Sequence, residues 1–286
     1  MGKISVLKPG FYSSVQDLGR FGYAHLGIPA AGAMDQSSFL LANYLLRNPS
    51  HAACVEMTLR GAMFHFDEDT EILLCGAQAN IMINGIFKQR NTVLPIRAGE
   101  VLEIGNFTAG QRMYLSVRGG INSASELGSR SFYKGITPSS RLKEGDQLEY
   151  KGQSYTWPPP HARVKPRVWN RESGLLEVYP GPELTILEVA TTDRLFQTEF
   201  TVSALQDRMG VQLAELLPHH HREILTSPVY PGTVQLTAGG KLIILMRDAQ
   251  VTGGYPRVLQ LTEESVSLLS QKRPGQKVRF SLLEGI

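Results

Sequence analysis

Short runs of alternating apolar and polar residues recur along most of the chain, and Gly, Pro, Asn or Asp separates one run from the next. This pattern predicts β-strands, because successive side chains of a strand point to opposite faces of a sheet. Asn84-Gly85 directly follows one run and predicts a tight hairpin, since both residues tolerate the positive φ of such a turn. The predicted strands are residues 72–75, 79–83, 101–104, 113–117, 186–189, 234–236, 242–246 and 277–282.

Helical periodicity is confined to a few segments. Residues 36–46 carry apolar side chains at helical spacing, with Asp35 before them and Asn48-Pro49 after them. Thr192-Asp193 predicts the start of a second helix. The fold class predicted from the pattern is therefore mostly β with two or three helices.

A proline-rich, basic stretch begins at Trp157 and runs to Gly174. Proline removes backbone hydrogen-bond donors and favours extended structure, so this stretch predicts a connector between two halves of the chain. The predicted organisation is an N-terminal β-barrel lobe over residues 1–152, a connector over 153–174 and a C-terminal lobe over 175–286. A long loop inside a single domain is the alternative that the sequence leaves open.

The composition is that of a folded globular protein, since 42% of the 286 residues are hydrophobic and 19% are charged. The net charge is only +3 and the basic residues are scattered, so no nucleic-acid partner is predicted. The apolar run 242–246 is far too short to cross a bilayer, and the N-terminus lacks the apolar core of a signal peptide. We therefore expect a cytoplasmic protein with no membrane partner, in which Cys54 and Cys75 are buried free thiols.

Three polar stretches with glycines interrupt the β pattern, at residues 13–20, 117–120 and 247–256. Each combines charged or amide side chains with glycines, which let backbone N–H groups approach a ligand closely. These stretches are the first candidates for a binding site.

The same stretches, together with others in order along nearly the whole chain, resemble one family. It is variously called the 5-oxoprolinase C subunit, allophanate hydrolase subunit 2, or biotin-dependent carboxyltransferase-like (KipA) family. One such stretch would be a weak signal, but this many in the same order are a specific one. The similar stretches are residues 7–10, 15–20, 26–29, 32–35, 41–43, 117–121, 127–131, 207–210, 227–235 and 248–256.

The resemblance implies a fold of two cyclophilin-like β-barrel lobes and a role within a hetero-oligomer. In this family a KipI-like B subunit pairs with the C subunit, and a LamB/YcsF-like A subunit joins them to open 5-oxoproline to L-glutamate at the expense of ATP. The implied cofactor is ATP with Mg, at or shared with the partner subunit. One departure is the region between Ser131 and Arg141, where many relatives carry a longer glycine-rich loop.

Two alternative functions follow from the same resemblance. Relatives form the carboxyltransferase component of a biotin-dependent urea or amide carboxylase, in which biotin is carried by another chain. Other relatives are regulatory proteins that bind a histidine-kinase inhibitor and have no catalysis of their own.

Arginines near glycines are candidates for holding a substrate carboxylate, because a guanidinium offers a planar bidentate fork. They are Arg20, Arg118, Arg130 and Arg208. The alternative for each is that it ties down a loop through backbone carbonyls or one carboxylate.

Three aspartates are candidates for a base or for a group that orients the substrate. Asp248 follows a predicted buried strand, a place where ligand groups commonly lie on a rigid scaffold. Asp35 lies at a predicted helix start and could instead cap the helix, and Asp17 could pair with Arg20 across one turn.

Glutamines and a Gly-Gly turn complete the candidate constellation. An amide both donates and accepts hydrogen bonds, which suits a lactam or urea group. Gln235 alternates with Val234 and Leu236, so its side chain is predicted to face away from theirs, toward a barrel mouth or water. Gly253-Gly254 could form an anion-binding nest or a plain hairpin turn.

The resulting hypothesis gives catalytic roles to Asp248, Asp17 and Arg118. Substrate-binding roles go to Gln16, Arg20, Asp35, Arg130, Arg208, Gln235, Gln250, Thr252, Gly253, Gly254 and Tyr255. No metal site is predicted, because the consecutive residues His219-His220-His221 cannot all converge on one ion from a regular element.

Overall fold

The computed structural model describes residues 1–151, 174–220 and 223–283, and these fall into two compact units. The first unit contains Met1–Arg20 and residues 35–151, and the second contains Phe21–Met34 and the described residues from 174 onward. The structure thus groups Phe21–Met34, which the sequence analysis placed in the N-terminal lobe, with the second unit. Apart from Gly174, the predicted connector lies outside the described residues, so the lobe boundaries stay a prediction.

The first unit is built on one nine-stranded sheet that forms a half-barrel. Strands run in the order β2-β3-β8-β4-β1-β9, and β5 pairs with β6, β7 and β8. The strand bounds are β1 Gly2–Lys8, β2 Tyr12–Gln16, β3 Cys54–Thr58, β4 Met63–Phe66, β5 Thr70–Ile83, β6 Ile86–Lys88, β7 Leu94–Ile96, β8 Val101–Val117 and β9 Gln147–Tyr150.

Two long strands, β5 and β8, hold this sheet together. The sequence predicted two short strands within each of them, whereas the structure joins each pair into one continuous strand. Their pairing shifts register after Gly76, which has a φ of 111°. A Cβ atom at Gly76 would lie 2.4 Å from the carbonyl oxygen of Arg112, so only glycine fits there. The break in the apolar–polar alternation near Gly76 therefore marks a bulge within the continuous strand β5 and not the end of a strand.

The helix predicted near residue 36 is present as α1, Gln36–Leu45. The carboxylate of Asp35 accepts hydrogen bonds from the backbone N–H of Ser38 at 2.9 Å and from its hydroxyl at 2.6 Å. Asp35 is therefore the N-cap of α1, which was the alternative to a substrate-binding role. The helix buries Ala42 against Leu73 and Cys75 of β5.

The second unit is a closed barrel with strand order β10-β17-β14-β15-β12-β11-β18. Its strands are β10 Leu175–Pro180, β11 Phe200–Gln206, β12 Gly210–Leu216, β14 Thr233–Leu236, β15 Lys241–Leu245, β17 Arg257–Leu261 and β18 Lys277–Leu282. A separate two-stranded sheet pairs β13, Ser227–Pro228, with β16, Thr252–Gly253. The prediction of a mostly β fold is confirmed.

One strand prediction and one helix start in this unit need correction, and one helix was missed. Residues 186–189 are not a strand: a 3-10 helix spans Leu184–Ile186 and helix α2 spans Val189–Gln197. Helix α2 thus begins before Thr192-Asp193, with Glu188 at the N-cap position and no side-chain capping hydrogen bond. Helix α3, Glu263–Ser270, was missed although Thr262 caps it by accepting from the backbone N–H of Ser265.

None of the helices in the described ranges is long and apolar enough to cross a membrane.

The segment Phe21–Met34 packs onto the barrel through both backbone and side chain. The backbone N–H of Ala31 donates to the carbonyl of Arg247 at 3.0 Å. Met34 is fully buried and belongs to the same apolar core as the barrel residues Val234 and Ile244. The barrel core therefore contains a residue from far earlier in the chain.

We expect Met34→Ala to lower the free energy of unfolding by about 2–5 kcal/mol, the usual cost of truncating a buried Met to Ala. Urea denaturation of the full chain measures this change. Leu26→Ala is the matched control, since Leu26 lies in the same segment and is 63% exposed. An equal effect of the two substitutions would contradict the packing described here.

The reactivity of the two cysteines, Cys54 and Cys75, tests the burial of the first unit's interior. Both are free and buried, and burial raises the pKa of the Cys54 thiol to about 12. Because the thiolate is the reactive form, neither cysteine should react with a thiol reagent at neutral pH in the folded protein. Both should react once guanidinium chloride unfolds the chain. Rapid labelling of Cys54 in the folded protein would show that the thiol is accessible and the burial wrong.

Candidate functional site

A cavity of about 500 Å³ lies on the second unit and is lined by amides and apolar side chains. The barrel core uses Leu242 and Ile244 of β15, so the intervening residue Ile243 lies on the opposite face of the strand. The residues that line the cavity are Ala204, Leu205, Gln206, Asp207, Met209, Gly210, Gln212, Gln235, Ile243, Leu245, Gln250 and Tyr255.

Strand register explains why two glutamines from different strands meet at this cavity. Ile243 of β15 pairs with Gln212 of β12 on one side and with Gln235 of β14 on the other. Residues paired directly across neighbouring strands project from the same face, so the three side chains form one row. This row lies on the side of the barrel wall away from the core, as predicted for Gln235.

Gln235 is the most enclosed polar residue of this row. Only 1% of it is exposed, and its carboxamide makes no hydrogen bond with any residue in the described part of the chain. Gly253 of β16 lies against it, since a Cβ atom there would come within 2.3 Å of the Gln235 Nε2 atom. Strand β16 therefore has a glycine where it meets the amide.

An ion pair between Arg208 and Asp248 fixes the two loops beside the cavity. Arg208 Nε donates to Asp248 Oδ2 at 2.7 Å, and Arg208 Nη2 donates to Asp248 Oδ1 at 2.9 Å. The same Nη2 donates to the carbonyl of Gly32 at 2.7 Å. Arg208 lies between the lining residues Asp207 and Met209, and Asp248 lies two residues before Gln250. The pair thus positions both loops.

The Gly-Gly segment is not an anion-binding nest. Neither Gly253 nor Gly254 has a positive φ, which a nest of the αR–αL type requires. Thr252 and Gly253 form strand β16, and the carbonyl of Gly254 accepts from the backbone N–H of Ile224 at 2.8 Å. Gln250 and Tyr255, on either side of this strand, do line the cavity.

In the first unit, Asp17 organises a loop of three residues after Leu127-Gly128. Its Oδ1 atom accepts from the hydroxyls of Ser129 and Ser131, each at 2.6 Å, and its Oδ2 atom accepts from the backbone N–H of Arg130 at 2.6 Å. Oδ1 also accepts from the backbone N–H of Gly19 at 2.8 Å. With this set of bonds, Asp17 holds backbone in place.

Its neighbours in sequence have similar contacts. The buried guanidinium of Arg20 donates to the carbonyl of Ser131. Gln16 Nε2 donates to the hydroxyl of Ser14 at 2.9 Å and, more weakly, to the carbonyl of Phe132 at 3.4 Å. Arg130 contributes its backbone N–H to Asp17, as described above.

Arg118 also binds protein groups. Its Nε donates to Glu71 Oε2 at 2.9 Å, its Nη2 donates to the same oxygen, and its Nη1 donates to the carbonyl of Leu46. A cation at a helix C-terminus complements the helix dipole, and Leu46 is the C-cap of α1. These contacts agree with the alternative given for Arg118, in which it ties down a loop through a backbone carbonyl and one carboxylate.

Glu56 is a buried acid that lies between apolar residues of β3, and its partner is the phenol of Tyr114. The hydroxyl of Tyr114 donates to Glu56 Oε2 at 2.7 Å and accepts from the backbone N–H of Asp35 at 2.7 Å. Burial, followed by the neighbouring carboxylate of Glu56, raises the pKa of Tyr114 well above its usual value. The phenol therefore stays protonated and acts as a fixed donor inside the first unit.

The predicted site residues therefore divide between the two units. Gln235, Gln250 and Tyr255 meet at one cavity, with Arg208 and Asp248 beside them. Gln206 and Gln212 were missed, although Gln212 alternates with Val211 and Leu213 as Gln235 does with its own neighbours. His219 binds the carbonyl of Thr237 at 2.8 Å, and no cluster of three or more metal-binding side chains occurs within the described ranges.

The fold of the two units is that of carboxyltransferase domains. A family model described as "Carboxyltransferase domain, subdomain A and B" matches residues 26–282. The chain belongs to this family.

Relatives of known name include the 5-oxoprolinase C subunit of Escherichia coli, which is 32% identical over 283 residues, 97% of this chain and 90% of that protein. Urea amidolyase of Lachancea kluyveri is 29% identical over 96% of this chain but only 16% of its own length. The solved urea carboxylase of Kluyveromyces lactis superposes with a TM-score of 0.87 at 28% identity, over 99% of this chain and 27% of that one.

We expect the Arg208–Asp248 pair to be coupled in stability. Both side chains are largely buried, with 10% and 14% exposure, so Asp248→Ala should cost about 2–4 kcal/mol by leaving a mostly buried guanidinium without its carboxylate. Arg208→Ala/Asp248→Ala should cost less than the sum of the single changes, with a coupling of about 1–3 kcal/mol. Thermal or urea unfolding measures each variant.

The control is Asp193→Ala, at an exposed position of α2 where the change should stay within about 0.5 kcal/mol. Additive effects of the two single substitutions would show no energetic coupling between Arg208 and Asp248 and would contradict a stabilising ion pair.

Proposed function

We propose that this chain is the C subunit of an ATP-dependent 5-oxoprolinase, which opens 5-oxoproline to L-glutamate together with A and B subunits. The observation that carries the proposal is the 32% identity to a 5-oxoprolinase C subunit over 97% of this chain and 90% of the relative. A second protein of that name, from Haemophilus influenzae, is 28% identical over the same shares. In this proposal the chain works in a cytoplasmic hetero-oligomer with a KipI-like B subunit and a LamB/YcsF-like A subunit.

In the proposed reaction, the lactam C–N bond breaks and water adds across it, giving the carboxylate and the ammonium group of glutamate. ATP with Mg supplies the driving force at a site on, or shared with, the partner subunits. This chain contributes the cavity of the second unit, where the Arg208–Asp248 pair holds the loops 207–210 and 248–250 in place. Both oxygens of Asp248 already accept from Arg208, so Asp248 is a positioning residue in this proposal.

Carboxyl transfer to urea or a related amide, from biotin carried on another chain, is the second candidate. It is favoured by the similarity to urea amidolyase and by the structural match to urea carboxylase. The identity is lower than to the 5-oxoprolinase relative, and this chain spans about a sixth of the urea amidolyase. The first candidate is therefore preferred.

The test is consumption of 5-oxoproline by this chain mixed with the B and A subunits of the same organism. We expect glutamate to form only when all three proteins and MgATP are present, since each supplies part of the site. Leaving out one component at a time is the control.

A stable complex with the B subunit but no glutamate from the full mixture would contradict the proposal. Urea with carboxybiotin is then the substrate to try, and failure of both would leave the binding of a histidine-kinase inhibitor as the surviving role.

A further inference from the structure

Four glutamine side chains line the cavity of the second unit, and they come from four different segments of the barrel. Gln206 ends β11, Gln212 lies in β12, Gln235 lies in β14 and Gln250 follows β15. None of the four carboxamides makes a hydrogen bond to any other residue in the described parts of the chain. By contrast, both groups of the Gln260 amide, elsewhere in the barrel, are paired. Its Nε2 atom donates to the carbonyl of Pro231, and its Oε1 atom accepts from the hydroxyl of Thr233.

Two of these amides are enclosed by protein. The Nε2 atoms of Gln206 and Gln235 are both buried without a partner among the described residues, and Gln235 as a whole is 1% exposed. A buried polar group without a hydrogen bond is unfavourable, so native proteins rarely retain one without a reason. A ligand that supplies the missing partners is such a reason.

The chemistry of a carboxamide limits what that ligand can be. An amide presents a donor and an acceptor side by side, and its complement is a group with an acceptor and a donor at the same spacing. A lactam, a urea or a primary amide has such an edge, formed by its C=O and N–H. This complementarity holds whichever way the Gln235 amide is turned, because exchanging its oxygen and nitrogen exchanges the roles on both sides.

Charge around the cavity favours a neutral group. Among the described residues that line it, Asp207 is the sole charged side chain, and its Oδ1 atom accepts from the backbone N–H groups of Met209 and Gly210. The neighbouring cation, Arg208, is bound to Asp248 and to the carbonyl of Gly32. A carboxylate placed against these amides would meet no cation and would leave the acceptor of each amide unpaired, so only the C=O/N–H edge of 5-oxoproline, and not its carboxylate, would face them.

We infer that this cavity recognises the neutral C=O/N–H edge of a small amide, and that Gln235 is the specificity-determining residue. Gln235 pairs with the amide edge through two hydrogen bonds, Gln206 supplies a further donor, and Leu205 and Ile243 contact the apolar carbons of the ligand. The inference deepens the proposed function and rests on it for the identity of the natural ligand, a lactam. Gly253 is needed because a larger residue would displace the Gln235 amide.

The experiment measures binding of two probes to the full chain, alone and in complex with its B subunit, by ligand-observed NMR titration. Pyrrolidin-2-one carries the lactam edge without a carboxylate, and N-methylpyrrolidin-2-one has the same ring with the N–H blocked. We expect pyrrolidin-2-one to bind at least about tenfold more tightly than the N-methyl compound, the factor that about 1.4 kcal/mol provides.

Gln235→Met removes both hydrogen-bonding groups of the amide with little change in volume. It should lower the affinity for pyrrolidin-2-one by about tenfold or more and abolish the preference over the N-methyl compound. Gln147→Met is the matched control, because Gln147 is an exposed glutamine of β9 in the first unit, and it should change neither value. A circular dichroism melt of each variant confirms that it is folded.

The possible results separate this inference from the proposed function. Lactam binding that depends on Gln235, without turnover by the three-protein mixture, supports the inference and contradicts 5-oxoprolinase activity. Turnover with an unchanged KM for 5-oxoproline in the Gln235→Met complex overturns the inference alone. Equal binding of the two probes, or no binding of either to the chain and its B complex, also overturns it.

Discussion

Closure of the seven-stranded barrel is the constraint on which the candidate site depends. A closed barrel directs alternate side chains of each strand into its core, and the residues between them must project outward. On β12, β14 and β15 the inward residues are aliphatic, so Gln212, Gln235 and Ile243 share the outer face. The register that fills the core therefore also sets the positions of the amides, because a slip of one residue would move them to the other face.

Charged groups in both units mainly fix backbone around this β framework. Asp17 holds the loop at Ser129 and Ser131, Arg118 binds Glu71 and the end of α1, and Arg208 joins Asp248 to Gly32. The contacts of Arg118 and Arg208 use guanidinium donors that a substrate carboxylate or oxyanion would require, whereas Asp17 is itself an acceptor. The polar groups at the cavity that lack a partner among the described residues are neutral amides, and they suit the amide recognition inferred above.

The sequence predicted the mostly β fold, helix α1 and the hairpin at Asn84-Gly85 because each depends on local signals. Asn84 and Gly85 have φ values of 47° and 79°, as such a turn requires. It could not predict that β5 and β8 are continuous, since the bulge after Gly76 depends on the close approach of another strand. Nor could it assign Phe21–Met34 to the barrel, because that contact joins residues far apart in the chain.

The site was predictable to a similar extent. Alternation predicted the direction of the Gln235 side chain, and the same argument applied to Gln212 would have found a second lining residue. Ion-pair partners were not predictable, because the residues bound to Arg118 and Arg208 lie tens of positions away in the sequence. A Gly-Gly sequence is likewise compatible with a nest, a hairpin or a strand, and tertiary pairing with Ser227–Pro228 selects the strand.

The most direct test of the central claim is the side-chain ¹⁵N–¹H spectrum of the glutamine amides as 5-oxoproline is added to the B–C complex. The account predicts that the amide signals of Gln235 and Gln206 shift with saturation, while the signal of Gln260 stays unchanged. Shifts confined to glutamines of the first unit, such as Gln16 next to Asp17, would contradict it and would place the ligand at the polar loops of that unit.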